Sequence, residues 1–207
     1  MPESRIVDVW ADVSCPFAHY SLQRFAQRRD LAGADHVRLR VRAWPLELAN
    51  GEPLTAEKVG GEIPDIRAQV ADDLFTGFDP DAFPRSTIDI LGAATLAYEV
   101  DADTGEAFNL AVRNALFEDG AAVADPSVLS AIAEAHGFAL PDEAAAREAV
   151  EADFAAGRER GVEGSPTYFV DGKAFFCPSL NIAHEGGHLR IAVDEPKMHR
   201  FLEAAFA

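Results

Sequence analysis

Two cysteines in 207 residues, Cys15 and Cys177, are too few for a disulfide framework. Lysine is almost as scarce: Lys58, Lys173 and Lys197 are the only ones among 18 basic residues. Those 18 stand against 35 acidic residues, for a formal charge of −17 spread along the chain. So acidic a surface repels phosphate backbones and anionic headgroups, and neither nucleic acid nor a membrane surface is an expected partner. No stretch approaches the roughly 20 consecutive apolar residues of a membrane helix. Met1-Pro2-Glu3-Ser4-Arg5 lacks the basic region and apolar run of a secretory signal. The expectation is a cytoplasmic protein whose thiols stay reduced. Internal repeats and low-complexity linkers are also missing. What remains is ordinary globular material, 48% hydrophobic with a mean hydropathy of −0.05, enough for one elaborated domain or two intimately associated ones.

A short apolar strand is expected over Ile6–Trp10, then a helix from Pro16 to about Arg29. Val37–Trp44 alternates, burying one face and presenting Arg38, Arg40 and Arg42 on the other, and Pro45-Leu46-Glu47-Leu48 ends it. An ion-paired or solvated strand face is the first reading of those arginines, with anionic-ligand binding second. About a hundred helical residues follow: Asp65–Phe75 after Pro64, a run from a Ser86 cap through Tyr98, and Glu106–Glu118 stopped by Gly120. Asp125-Pro126 then opens a helix closed by Gly137, and Asp142 caps one reaching Arg160. Thr167–Val170 and Lys173–Phe176 flank Asp171-Gly172, a strong hairpin signal, and Asp194 with Pro196 opens a last helix to Ala207.

Chemistry concentrates at Asp12-Val13-Ser14-Cys15-Pro16-Phe17-Ala18, where a strand hands over to a helix. Pro16 suits a first helical turn, which places the Cys15 sulfur among free N–H groups at the positive end of the macrodipole. Such a position favours a thiolate, the nucleophilic form of cysteine. Asp12 opposes this, although at short range the helix terminus should outweigh diffuse charge. His19 stands near enough in sequence to assist proton transfer. Phe17 lines a substrate groove, while Tyr20, Trp44, Tyr168, Phe175 and Phe176 read mostly as core. A two-residue turn at Asp171-Gly172 makes Val170 face Lys173 and Thr167 face Phe176, so Pro166 faces Cys177. Cys177 is thereby returned to the end of the sheet where Cys15 lies, as a resolving or site-lining thiol or as a buried strand-end residue. A disulfide would need Cα atoms within about 7 Å. His184-Glu185-Gly186-Gly187-His188 spells a zinc-protease pattern, but adjacent glycines make it a hairpin turn rather than a helix, and no metal site is expected.

The order of these parts resembles the DsbA-like branch of the thioredoxin superfamily. The resemblance rests on the Asp12–Ala18 turn, on Trp44-Pro45-Leu46-Glu47-Leu48, on Phe117-Glu118-Asp119-Gly120 with Asp125-Pro126 through Gly137, and on Gly164-Ser165-Pro166-Thr167. It implies an α/β, thioredoxin-like fold with a helical domain inserted between the second strand and the cis-proline hairpin: residues 1–54 and 161–207 form the thioredoxin-like domain and 55–160 the insertion. It further implies that Pro166 is cis and opposite Cys15, and that Ser165, Pro166 and Thr167, with Pro16 and Phe17, position a thiol or peptide partner. Redox members carry a second cysteine three residues after the first; here that position is Ala18. Relatives with one reactive side chain at this turn include 2-hydroxychromene-2-carboxylate isomerases and kappa-class glutathione transferases, which hold a thiol cofactor.

Three functions are therefore expected in order. The first is a thiol-disulfide oxidoreductase with Cys15 as its one nucleophile and an external thiol to resolve it. Next comes an isomerase or transferase dependent on glutathione or a similar small thiol. Third is a non-catalytic binding module. No cofactor is expected to be tightly bound; a small thiol serves as co-substrate.

Overall fold

The computed structural model describes residues 5–207; residues 1–4, on which most of the signal-peptide reading falls, lie outside it. Strand β1 (Arg5–Ala11) is followed by helix α1 (Pro16–Ala32) and by β2 (Val37–Ala43), which pairs parallel to β1 from Arg5↔Val37 to Ala11↔Ala43. Antiparallel β3 (Thr167–Val170) lies on the other side of β1, with Trp10 facing Thr167, and β4 (Lys173–Phe176) completes a sheet of order β2-β1-β3-β4. The β3–β4 register is the expected one, Val170↔Lys173 through Thr167↔Phe176. Asp171 and Gly172 both take positive φ (49° and 77°), as the tight turn between right-twisted strands demands.

Between β2 and β3 the chain is helical: α2 (Leu46–Asn50), α3 (Ala56–Gln69), α4 (Ile88–Leu96), α5 (Ala102–Phe117), α6 (Pro126–Ala135) and α7 (Glu143–Glu159). A separate hairpin, β5 (Leu180–Glu185) and β6 (His188–Val193), precedes the terminal helix α8 (Glu195–Phe206). Gly186 and Gly187 form its turn with φ of 59° and 84°, so His184 and His188 sit on opposite strands rather than on one helical face.

Three expected helices begin elsewhere. Thr55, accepting from the Lys58 N–H at 3.2 Å, starts α3 nine residues before Pro64, which lies inside the helix. Its apolar stripe Val59, Ile63 and Ile66 runs through the proline, and Pro64 is exposed, so the carbonyl it leaves unbonded can be hydrated. Asp101 starts α5 by accepting from Thr104 at 2.7 Å. Gly105 within that first turn makes room for the Tyr98 ring, whose carbons lie 2.3 Å from where a Cβ would stand. At α4 the N-cap is Thr87, not Ser86, and it makes no side-chain cap of its own. The Thr87 N–H instead donates to Glu47 Oε1 at 2.8 Å, so a carboxylate from α2 caps α4.

Apolar residues of α1, α8 and the sheet make one core, with Leu22, Phe25, Val9, Val41, Tyr168 and Phe201 buried. Phe75, Ile90, Leu91, Phe108, Val112, Leu116 and Phe117 centre a second among the helices. The two meet along β2, an edge strand with spare N–H groups. Leu39 N–H donates to Glu106 Oε2 (2.8 Å), Val41 to the Tyr98 hydroxyl (3.0 Å) and Ala43 to Asp153 Oδ2 (3.0 Å). Helical side chains thus take the place of a fifth strand and close the edge. Asp153 also accepts from Arg42 (2.6 Å) and Thr95 (3.1 Å), while Arg40 and Arg42 pair with Asp8 and Arg38 with Asp103. The arginine face is ion-paired. Asp153→Ala would strand three donors at a site that is 4% exposed, and we expect a loss of about 3 kcal/mol, read as a shift in the urea midpoint.

Candidate active site

Cys15 is the N-cap of α1, in extended conformation, and Pro16 occupies the first turn. Its sulfur lies 3.3 Å from the carbonyl oxygen of Ser165, toward which the thiol can donate, and the Ser165–Pro166 peptide bond is cis. On the far side of Pro166, the Cys177 N–H donates to the Pro166 carbonyl at 2.9 Å, extending the hairpin register by one residue. Cys15, Ser165, Pro166 and Cys177 therefore converge. Thr167 is buried beside them, its hydroxyl donating to Gly164 O at 2.7 Å, and Phe17 is half-buried at the rim. Phe176 departs from the core reading: it is 43% exposed, and its ring lies 3.0 Å from where a Gly164 Cβ would stand. Tyr20, Trp44 and Tyr168 are buried, and Phe175 is half-buried.

Asp12 holds the turn together. Its Oδ1 accepts from the Ser14 N–H and hydroxyl, both at 2.8 Å, and its Oδ2 from the Leu46 N–H (2.6 Å) and the Thr87 hydroxyl (3.2 Å). One buried carboxylate thereby ties β1, α2 and α4 to the residue before the thiol. The Asp12 N–H donates to Ser165 Oγ at 2.9 Å, fastening the cis-proline loop to the same turn.

The thiol itself differs from the sequence expectation. Burial, at 4% exposure, pushes the Cys15 pKa above the ordinary thiol range, and the Asp12 carboxylate adds to it. The hydrogen bond with Ser165, the Ala18 N–H at the helix terminus and, more weakly, Arg113 pull the other way without prevailing. Desolvation in a closed site outweighs the macrodipole, and the resting side chain is a neutral thiol. Cys177, also buried, is pushed up to about 12 by desolvation and by the neighbouring Cys15.

His19 is carried away from the sulfur. It is fully buried on α1, its Nε2 is 2.7 Å from Glu118 Oε1, and its ring packs on Phe75 and Phe117 at 5.1 and 4.8 Å. Its backbone N–H donates to the Cys15 carbonyl at 3.0 Å, as the helix requires, but among the described residues its ring makes no hydrogen bond to the Cys15 sulfur. Glu118 also accepts from the Phe75 N–H (2.8 Å) and from Thr76 N–H and hydroxyl (3.0 and 3.1 Å), which stabilises Phe75 at φ +59°. Partial burial acts upward on the Glu118 carboxyl, but these donors hold it down to about 2. A depressed carboxylate stabilises the fold above its unfolded pKa of about 4.3, and that stability drains as pH falls toward 2. Glu118→Gln should accordingly lower the urea midpoint at pH 7 and flatten its decline between pH 5 and pH 3.

Reasoning from sequence missed Arg113 of α5, which reaches the Asp12 carbonyl under the turn, and Asn109, which accepts from Arg113 Nε. The available signal was a charged residue among Phe108, Val112, Leu116 and Phe117 on the buried side of an amphipathic helix. It also assigned no role to Glu118 or to Thr87. Among the described residues no group of three or more potential ligands could hold a metal ion, and no helix is long and apolar enough to cross a membrane.

A cysteine capping the helix after β1, set against the residue preceding a cis-proline, on a mixed sheet of order β2-β1-β3-β4, is the arrangement of thioredoxin-fold thiol proteins. Residues 6–183 match the DSBA-like thioredoxin domain, and the chain belongs to that family. Solved structures agree in fold. A putative protein disulfide isomerase from Nitrosomonas europaea aligns with a TM-score of 0.65 at 13% identity, covering 97% of each chain. A 2-hydroxychromene-2-carboxylate isomerase aligns at 0.59 and 19%, covering 83% of this chain and 88% of its own. The thiol-disulfide exchange protein alpha-DsbA2 from Wolbachia pipientis aligns at 0.50 and 14%, covering 98% and 82%. No curated protein matches in sequence. The neighbours share the fold of the chain, and the family model covers most of its length.

Proposed function

We propose that the protein is a thiol-disulfide oxidoreductase in which Cys15 alone forms the mixed disulfide and a small external thiol, glutathione or similar, resolves it. The observation that supports this is the contact between Cys15 Sγ and Ser165 O beside cis-Pro166. An extended disulfide partner can lie along that loop, pairing with the backbone of Ser165, whose N–H donates to no protein group among the described residues. Its sulfur is then presented to Cys15. The thiol loses its proton, the Cys15 thiolate attacks one sulfur of R–S–S–R′, and R′–S⁻ leaves and takes up a proton. A second thiolate then attacks the R-side sulfur of Cys15–S–S–R, releasing R as a new disulfide and Cys15 as thiolate. Phe17 and Phe176 give the loop an apolar rim, and the inserted helical segment, residues 55–160, sets which partner fits. Ala18 leaves no vicinal resolving thiol, and the deep, neutral Cys177 is better suited to line the site than to resolve it. Unchanged turnover in Cys177→Ser is the expected result. A reducing, cytoplasmic setting suits a cycle that ends on an external thiol.

The neutral resting state of Cys15 favours a second reading, in which the protein binds a small thiol cofactor for isomerase or transferase chemistry and Cys15 donates a hydrogen bond to the cofactor sulfur. One experiment separates the two. Incubation with a mixed-disulfide donor, quenching with acid and mass analysis should find the adduct on Cys15 if the first reading is right. No adduct, together with saturable binding of the reduced thiol by calorimetry, would replace it with the second.

A further inference from the structure

Arg113 is wholly buried, yet no carboxylate hydrogen-bonds to it. Its Nε donates to Asn109 Oδ1 at 2.9 Å and its Nη1 to the Asp12 carbonyl oxygen at 2.7 Å. Nη2, equally buried, donates to nothing among the described residues. A guanidinium stripped of water and left with a free donor is costly, so its retention calls for an anion. The Asp12 carboxylate acts on Arg113 through its charge but is not the acceptor for Nη2, because its four hydrogen bonds come from Ser14, Leu46 and Thr87. Nor is Glu118, which is occupied by His19, Phe75 and Thr76. The group that remains is the thiol: the Asp12 carbonyl that receives Arg113 Nη1 also faces the Cys15 N–H at 3.4 Å. The cation and the Cys15 backbone thus meet on one oxygen, with both side chains buried.

We propose that Arg113 is the counter-ion of Cys15, its free Nη2 being the donor reserved for the sulfur when it carries negative charge. This rests on the reading that Cys15 reacts as a thiolate. Charge resides on the sulfur twice per cycle, as it attacks and as it is released, and in a low-dielectric interior a fixed cation acts more strongly than it would in water. Arg113 transfers no proton; it is a positioning and electrostatic group. The charged and titratable groups facing Cys15 are Asp12, which opposes the thiolate, Arg113, which favours it, and the neutral thiol of Cys177. The −17 of the whole chain is mostly beyond screening distance.

The test is the rate of iodoacetamide alkylation against pH in a Cys177→Ser background, so that one thiol reports, with Arg113 intact and in R113M, R113Q and R113K. With R113M the inflection should rise by about 1 pH unit, a roughly tenfold slower reaction at any fixed pH below it. R113Q should do the same, since its amide can still donate to the Asp12 carbonyl but carries no charge, and it serves if R113M does not fold. R113K should restore most of the shift. Loss of a merely structural arginine would instead expose the thiol and speed alkylation at every pH, and an inflection unmoved in both R113M and R113Q overturns the proposal. The mixed-disulfide assay keeps the two readings apart: a moved inflection without any adduct defeats the oxidoreductase reading and leaves the counter-ion, whereas an adduct with an unmoved inflection does the reverse.

Discussion

Cys15→Ser is expected to abolish mixed-disulfide formation and to slow thiol–disulfide exchange by a factor on the order of 10³ or more. A serine oxygen keeps the size and the hydrogen-bond donor that Ser165 O receives, so the turn should survive and the loss should be chemical. The hydroxyl cannot form a disulfide, and Cys177 lies behind Pro166 with a pKa of about 12, where it offers no thiolate at neutral pH. Stopped-flow reduction of a small disulfide, with the urea midpoint measured alongside, checks both halves. If the serine variant keeps most of a glutathione-dependent isomerase activity, the cofactor reading takes over. If neither variant nor parent shows exchange or thiol binding, the fold serves as a binding module.

The largest effect on stability should come from Asp12→Ala. The carboxylate is 1% exposed and accepts four hydrogen bonds, two from backbone N–H groups that have no other acceptor among the described residues. Leaving a buried donor unpaired costs about 1–3 kcal/mol, so four of them amount to about 4 kcal/mol or more, a large share of the 5–15 kcal/mol typical of a domain. Asp12→Asn should cost about half as much, since one oxygen is kept. Both variants remove a negative charge from beside the thiol, and in the folded Asn variant the Cys15 alkylation inflection should fall. That is opposite in sign to the shift expected for Arg113→Gln. Opposite signs from two neighbours of one sulfur are difficult to produce by general loosening, so the pair of measurements isolates electrostatics.

Much of the scaffold was legible because its signals are local. Asp171-Gly172 is compatible with few backbone paths, and period-2 alternation fixes which side chains share a face, so the register from Val170↔Lys173 to Thr167↔Phe176 could be read directly. The caps at Asp125, Asp142 and Asp194 also marked the helix starts correctly, because a short acidic side chain before a proline or an acidic first turn satisfies the free N–H groups there. Pro64 misled, since a proline on a solvent-facing position can be tolerated where the opposite stripe is well buried. Ser86 misled because Glu47, 39 residues earlier, is the acceptor at that helix start.

The site divided along the same line. Sequence by itself determined that Cys15 caps a helix, that a proline loop leads into β3, that Cys177 ends on Pro166, and that the second redox cysteine is replaced by Ala18. The first three follow from neighbours within a few residues or from hairpin geometry, and the fourth from the resemblance to the DsbA-like family. Tertiary structure alone decided that the thiol is buried and neutral, that His19 belongs to Glu118 rather than to the sulfur, and that a guanidinium from α5 lies under the turn. Desolvation and charge–charge energies depend on which groups lie within a few ångströms in space. Helices separated by about a hundred residues supply those groups here, and no local pattern in the chain encodes that meeting.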